Sequence, residues 1–303
     1  DCEVSPMGTT LEILHTGTVI VDRTLPYHRP GDPPLSWTHA FRGRDDLIAV
    51  PVSTYLVENS HGLTLIDTGW HPVNRSRLGQ MANLRHQYPV NKADLPEGRA
   101  IDEQLEERGI RPRDLDLLLM SHLHCDHADG LRLVREAPRI LVSRPEAEGV
   151  RASRPMYLPH EWDGVDLRTF SWNTPVGPYG AGYDVFGDGS LVMVAVPGHS
   201  RGLCATIVRG KRADDGALDE DRSDRAEGLE EPGREDPRSF YLLTSDAGYG
   251  RPSFDQGLRP GVVVSADQAE RSLAWACRVE HDPRCLGLIA NHDPEVEPGV
   301  RTF

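Results

Sequence analysis

The ten residues from Ser121 to Gly130, SHLHCDHADG, crowd four potential metal ligands, His122, His124, Asp126 and His127, into six positions directly after the apolar run LDLLLM. As core residues these would be costly, because a buried imidazole or carboxylate needs a partner. On an extended stretch His122 and His124 turn the same way, while Asp126 and His127 approach from the following turn, so one short loop can serve two cations. Three more residues stand in comparable places: His199 in VPGHSRG, Asp246 in LTSDAGY and His292 in IANHDPE each follow an apolar, strand-like run. Together they supply five imidazoles and two carboxylates, enough for two sites that share a bridging carboxylate. A set without thiolate suits zinc, iron, manganese or cobalt rather than a cysteine-built structural site.

The elements that must position these residues follow from the hydrophobic period. LEILHTGTVIV, IAVPVSTYLVEN and HGLTLIDTGW read as a β-meander with a turn at His61-Gly62, and LPYHRPGDPPLSWTHAFRGRDD, rich in Pro and Gly, reads as a long surface loop. GRAIDEQLEERG has helical spacing, LDLLLM is a buried strand, ADGLRLVREA the next helix, ILVS a strand and PEAEGVRAS a short helix. LVMVAVPG, LCATIVRG, FYLLTSDA and CLGLIAN supply four further strands. The fold class expected is α/β, with two sheets face to face, helices outside, and residues 1–303 forming one domain.

A formal charge of −14 argues against a nucleic acid or an anionic membrane as the main partner and favours a small molecule. No apolar run approaches the roughly 18 to 20 residues that span a bilayer, and the start lacks a signal-peptide pattern. Cys2, Cys125, Cys204, Cys277 and Cys285 are too sparse for a disulfide framework, so reduced thiols and a cytoplasmic location are expected. Residues 211–238 carry eleven acids and six bases with almost no apolar residue, and read as a solvated, mobile hairpin insertion.

The order H-x-H-x-D-H, G-H, a single Asp and a last His resembles the metallo-β-lactamase superfamily, and LIDTGW at 65–70 resembles its upstream Asp-Thr-Gly turn. That resemblance implies an αββα sandwich with two mixed sheets and helices on the outer faces. It implies two divalent ions, zinc first, with iron, manganese or cobalt as alternatives. His122, His124 and His199 would hold one ion, Asp126, His127 and His292 the other, with Asp246 bridging and Asp67 orienting a ligand histidine. Tyr249 in DAGY, together with TYLVE and HDPE, resembles the N-acyl-homoserine lactonases within that superfamily. Departures are Cys125, where some relatives carry an aromatic, and the acidic insertion.

The activity so implied is ring opening of N-acyl-homoserine lactones by a metal-bridging hydroxide, water on a catalytic zinc having a pKa of about 7 against about 15.7 in bulk. Tyr249 would stabilise the oxyanion and Asp126 would carry the proton to the ring oxygen. Tyr27, Trp37, Phe41, Met156, Tyr157 and Trp162 could line an acyl groove, cover the core or form a homodimer interface. The rival readings are another ester, thioester or phosphodiester hydrolase of glyoxalase II type, and a non-catalytic metal-binding protein.

Overall fold

The computed structural model describes residues 8–210 and 236–303. Its strands, in chain order, are β1 (Thr10–Asp22), β2 (Leu47–Asn59), β3 (Gly62–Ile66), β4 (Lys92–Asp94), β5 (Leu117–Met120), β6 (Ile140–Ser143), β7 (Leu167–Phe170), β8 (Gly182–Asp184), β9 (Leu191–Ala195), β10 (Cys204–Arg209), β11 (Phe240–Leu243), β12 (Cys285–Ile289) and β13 (Gly299–Thr302). The α-helices are α1 (Arg77–Leu84), α2 (Ile101–Glu107), α3 (Cys125–Ala128), α4 (Arg144–Ala152), α5 (Arg251–Gln256) and α6 (Ala266–Val279). One sheet runs β13-β1-β2-β3-β5-β6-β7, with β4 also paired to β1, and the other runs β12-β11-β10-β9-β8.

Period-two alternation sorts the side chains between layers. Leu117 and Leu119 of β5 face the second sheet and pack with Ile13, Tyr55, Met193, Leu243 and Ile289. Leu118 and Met120 face outward, against Ile101 and Leu105 of α2 and against Leu131 and Val134. The second sheet covers its outer face with α5 and α6, through Phe254, Leu273 and Ala276. Four consecutive apolar residues in β5 are thus buried on both faces, each contributing about 1.5–3 kcal/mol relative to exposure. A charge at Leu119 would break the shared layer. The architecture is two mixed sheets with helices outside, as the resemblance implied.

Several elements depart from the sequence reading, among them α1, α5, β4, β7, β8 and β13, which it did not include. ADGLRLVREA does not form an α-helix; Asp129–Val134 is a 3-10 turn after the single turn of α3. The Gly130 N–H is drawn to the Gly69 carbonyl at 2.8 Å, and a Cβ on Gly130 would lie 2.5 Å from the Thr68 carbonyl, so tertiary contact overrides the local helical period. The longest helix among the described residues, α6, was not foreseen either. Its sequence carries the signal, with a Ser265 cap and apolar residues Ala269, Leu273 and Ala276 at helical spacing.

Of the acidic segment, residues 211–235 lie outside the described residues. Asp236 and Arg238 pair at 2.6 Å, and Arg238 donates to the Asp188 carbonyl at 2.6 Å, so this end of the stretch is anchored to the second sheet. No helix among the described residues is long and apolar enough to cross a membrane.

Candidate metal centre

All seven ligand candidates lie at one edge of the sandwich, beyond the C-terminal ends of β5, β9, β11 and β12. The pairing makes β9, β11 and β12 run the same way, β9 and β11 each being antiparallel to β10, and β11 being parallel to β12. Loops after strands of one direction gather at one rim, where backbone groups are free to be re-used. His122 and His124 leave β5, Asp126 and His127 ride on α3, His199 follows β9, Asp246 follows β11, and His292 follows β12.

Three overlapping groups of ligand atoms, each within 4.8 Å, form there: His122, His124 and His199; His122, His127 and Asp246; Asp126, His127 and His292. Asp246 stands between the sets. Its Oδ2 faces His199 Nε2 at 3.2 Å and His122 Nε2 at 3.8 Å, while Oδ1 faces His127 Nε2 at 3.2 Å and His292 Nε2 at 3.3 Å. Asp126 Oδ2 is 3.5 Å from His292 Nε2, and Asp126 alone of the seven is half-buried, the other six being buried. The backbone before Asp246 is left-handed at Ser245, φ 47°, which turns the carboxylate back across the strand ends.

The outer nitrogens of four rings are tied to acceptors. His292 Nδ1 donates to the Pro51 carbonyl at 2.7 Å and His199 Nδ1 to the Val262 carbonyl at 2.8 Å, since a carbonyl can only accept. His127 Nδ1 donates to Asp67 Oδ2 at 2.9 Å. Ser121 Oγ donates to Asp67 Oδ2 at 2.7 Å and therefore accepts from His122 Nδ1 at 3.1 Å. Every one of these bonds turns Nε2 inward. In the neutral rings the inward nitrogens are lone pairs, and His127 and His292 place theirs 3.3 Å apart. His122 Nε2 is buried without a hydrogen-bond partner, and His124 presents Nδ1 to His199 Nε2 at 2.8 Å. Facing lone pairs repel unless a cation lies between them, so the donor set fits divalent ions.

The electrostatics agree. Burial, aided by neighbouring imidazoles, holds His122 and His124 well below the ordinary histidine range. Burial also opposes charge on His127 and His292, yet Asp246 and Asp126 outweigh it and raise both. The half with the carboxylates draws positive charge, which protons or a metal ion can supply.

Asp67 is the hub of this arrangement. It sits at φ 61° in the Asp-Thr-Gly turn and accepts from Ser121 N at 2.8 Å, besides Ser121 Oγ, His127 and Asn291 Nδ2. Gly69 allows the turn to close: at φ 65° a Cβ would come within 1.9 Å of Thr16 Oγ1. Ser121, Asn291 and Glu146 were missed in the sequence. Asn291 accepts from the buried Tyr55 hydroxyl at 3.0 Å and donates to the Ser53 carbonyl at 2.9 Å, linking the last ligand loop to β2.

Tyr249 lies over this floor, its ring stacked on His292 at 4.7 Å and 18°. Burial, then Asp246 and Asp126, push its phenol well above the usual tyrosine range, so it stays a hydrogen-bond donor. A cavity of about 250 Å³ opens onto His124, Asp126, His199 and Tyr249 between walls that include Val19, Val21, Leu25, Trp37, Met156 and Val262. Of the aromatic and sulfur residues expected around a groove, Trp37 and Met156 take part. Phe41 is fully exposed and Trp162 packs under the first sheet. Tyr157 is buried beneath His124, with ring centres 5.4 Å apart, and Tyr27 packs behind the pocket wall.

Residues 47–213 match the family model of the metallo-beta-lactamase superfamily. The chain is 28% identical over 263 residues to the N-acyl homoserine lactonase AttM of Azorhizobium caulinodans, covering 83% of this chain and 85% of that one. It is 25% identical over 265 residues to the probable metallo-hydrolase Rv2300c of Mycobacterium tuberculosis, covering 82% and 73% respectively. Among solved structures, an N-acyl homoserine lactone hydrolase with its product N-hexanoyl-L-homoserine at the catalytic metal center superposes with a TM-score of 0.68 at 21% identity, over 95% of each chain. The dizinc quorum-quenching lactonase AidC superposes at 0.54 and 15% identity, over 99% of this chain and 95% of that one. With more than half of its length matched by the family model and this ligand rim on its sandwich, the chain belongs to the metallo-β-lactamase superfamily.

Proposed function

We propose that this protein opens the lactone ring of N-acyl-homoserine lactones, with two zinc ions held by His122, His124 and His199 on one side, Asp126, His127 and His292 on the other, and Asp246 between. The observation that carries this reading is the junction of two unlike surfaces in one cavity. Its walls are largely aliphatic, and its floor presents a carboxylate, a phenol and the ligand imidazoles. Such a cavity takes a small molecule with an apolar tail and a hydrolysable carbonyl head. The lactonases to which the chain is similar act on molecules of that description, as their names state.

Bound there, the ions would polarise the ester carbonyl and supply ionised water at neutral pH. Tyr249, kept protonated by burial and by the two carboxylates, donates to the carbonyl oxygen as negative charge grows on it. Its stacking on His292 fixes the phenol, so little is reorganised during reaction. Asp126, the carboxylate among the ligand candidates that line the cavity, takes a proton from the attacking water and delivers it to the ring oxygen as the carbon–oxygen bond breaks. Asp67 holds His127 and Ser121 throughout.

Metal analysis of purified protein, paired with proton release on short- and long-chain N-acyl-homoserine lactones, tests the reading. Two ions per chain and ring opening are expected. Turnover confined to linear esters, thioesters or phosphodiesters would move the protein to another hydrolase class. Two ions without turnover on any ester would make it a metal-binding protein.

A further inference from the structure

His122 and His124 come from the first sheet and His199 from the second, so their set exists only if two loops from different sheets keep register. One buried carboxylate spans them. Glu146, fully buried near the start of α4, accepts from the Leu123 N–H at 3.1 Å through Oε1, between the two histidines of the first loop. Through Oε2 it accepts from the Ser200 hydroxyl at 2.7 Å and the Gly202 N–H at 2.8 Å, both in the loop that carries His199. A carboxylate, being acceptor-only, is the side chain that can satisfy three convergent donors at once.

The seat is tight on both sides. A Cβ on Gly202 would lie 2.2 Å from the Glu146 nitrogen and 2.4 Å from Ser143 Oγ, and Ser143 Oγ donates to the Gly202 carbonyl at 2.7 Å. The helix start and the second loop therefore meet without intervening side chain. A backbone bond from Cys204 N to the Ser121 carbonyl, 3.0 Å, joins the loops once more. In contrast, the set of Asp126, His127 and His292 is held by Asp67, Thr68 and Pro51, and among the described residues Glu146 bonds to none of these.

From this division we infer that Glu146 is a positioning residue for the three-histidine set alone, clamping the His122–His124 loop to the His199 loop and setting how tightly that half binds its ion. The inference rests on the two-metal reading above. Glu146→Gln keeps the shape but turns an NH2 group toward a donor, so one bond is lost and two donors face each other. Residues that orient ligands in this way typically affect metal affinity by about 10- to 100-fold.

The test uses single-site backgrounds and chelator competition with Zn²⁺, independent of turnover. In His292→Ala protein, which keeps the three histidines, Glu146→Gln should weaken Zn²⁺ binding by about 10-fold or more. In His124→Ala protein, which keeps the other set, the same change should leave Zn²⁺ affinity within about twofold, since no bond of that set is touched. Ser200→Ala, which deletes one donor only, should shift the first background the same way by a smaller factor, and serves if Glu146→Gln folds poorly. Equal losses in both backgrounds, or none in either, would overturn the role. Parent His292→Ala protein that binds no Zn²⁺ would overturn the dinuclear reading itself.

Discussion

The floor of the cavity and its mouth are each held by a buried carboxylate, yet they differ in what that carboxylate holds. On the floor, Asp67 receives Ser121 and His127, and four imidazoles have their outer nitrogen tied. At the mouth, Asp22 receives Thr24 N at 3.0 Å, Thr24 Oγ at 2.8 Å, His39 Nδ1 at 2.8 Å and Arg42 Nε at 2.5 Å. The loop so pinned passes through Leu35, His39 and Phe41 at φ 61°, 60° and 62° and places Trp37 and Thr38 in the cavity wall. Left-handed residues with side chains cost on the order of 1–3 kcal/mol each, so this loop persists because Asp22 holds it. The floor carboxylate fixes ligand-candidate side chains, whereas the mouth carboxylate fixes the backbone that presents the wall.

Damage to the floor should show first in metal content. Asp246→Ala and His122→Ala should lower it from two ions toward one or fewer and His292→Ala toward one, and each should abolish hydrolysis, because the remaining ligands cannot complete both shells. Two-ion content in all three proteins would separate the floor from metal binding altogether. Asp67→Asn should be next, weakening metal binding about 10- to 100-fold, since its NH2 group must face either the Ser121 N–H or the Ser121 hydroxyl and His127 donors. Equilibrium dialysis against a chelator reads this directly.

Tyr249→Phe removes only a hydroxyl from the boundary between floor and mouth. With metal content intact, kcat and kcat/KM should fall together by about 10- to 100-fold, the cost of one charge-assisted hydrogen bond of about 1.5 to 3 kcal/mol. A rise in KM alone would assign the phenol to substrate positioning.

At the mouth, Asp22→Asn should raise KM and lower Tm by about 2 to 4 °C while leaving kcat and metal content unchanged. Burial by itself would raise the Asp22 pKa, but the bonds from His39, Thr24 and Arg42 outweigh it and hold the group below the ordinary carboxylate range. With its folded value depressed, Asp22 contributes stability above the unfolded value of about 3.9, lost as pH falls through the lowered one. Wild-type Tm should therefore drop more steeply than the variant's below about pH 4; parallel curves would remove Asp22 as the pin. The smallest effect is expected from replacing residues 211–235 by a short Gly-containing turn, keeping Asp236 and Arg238, which pair in the fold. Near-wild-type kcat and Tm are expected because the segment has almost no apolar area to lose; a large change in either would add a third structural region to the comparison.

By itself the sequence determined the types of the candidate ligands and the layers that carry them. Five imidazoles and two carboxylates sit directly after apolar runs, and Leu117 to Met120 must be buried on both faces, because these are properties of neighbouring residues. The period-two pattern was enough to read the meander and the central strands of both sheets but not the short strands β4, β7, β8 and β13, and the helical period misled at Asp129–Val134, where Thr68 and Gly69 captured the backbone. Glu146 had a local disguise, for Ser143-x-x-Glu146 reads as a helix cap, while its carboxylate bonds Leu123 and, 56 residues away, Gly202. Tertiary structure alone decided which oxygen of Asp246 faces which histidines, which ring nitrogen points inward, and which groups hold the loops. His292 is fixed by Pro51 across 241 positions and Asp67 is met by Asn291 across 224, and no local period encodes partners that only the packing of two sheets brings within hydrogen-bond reach.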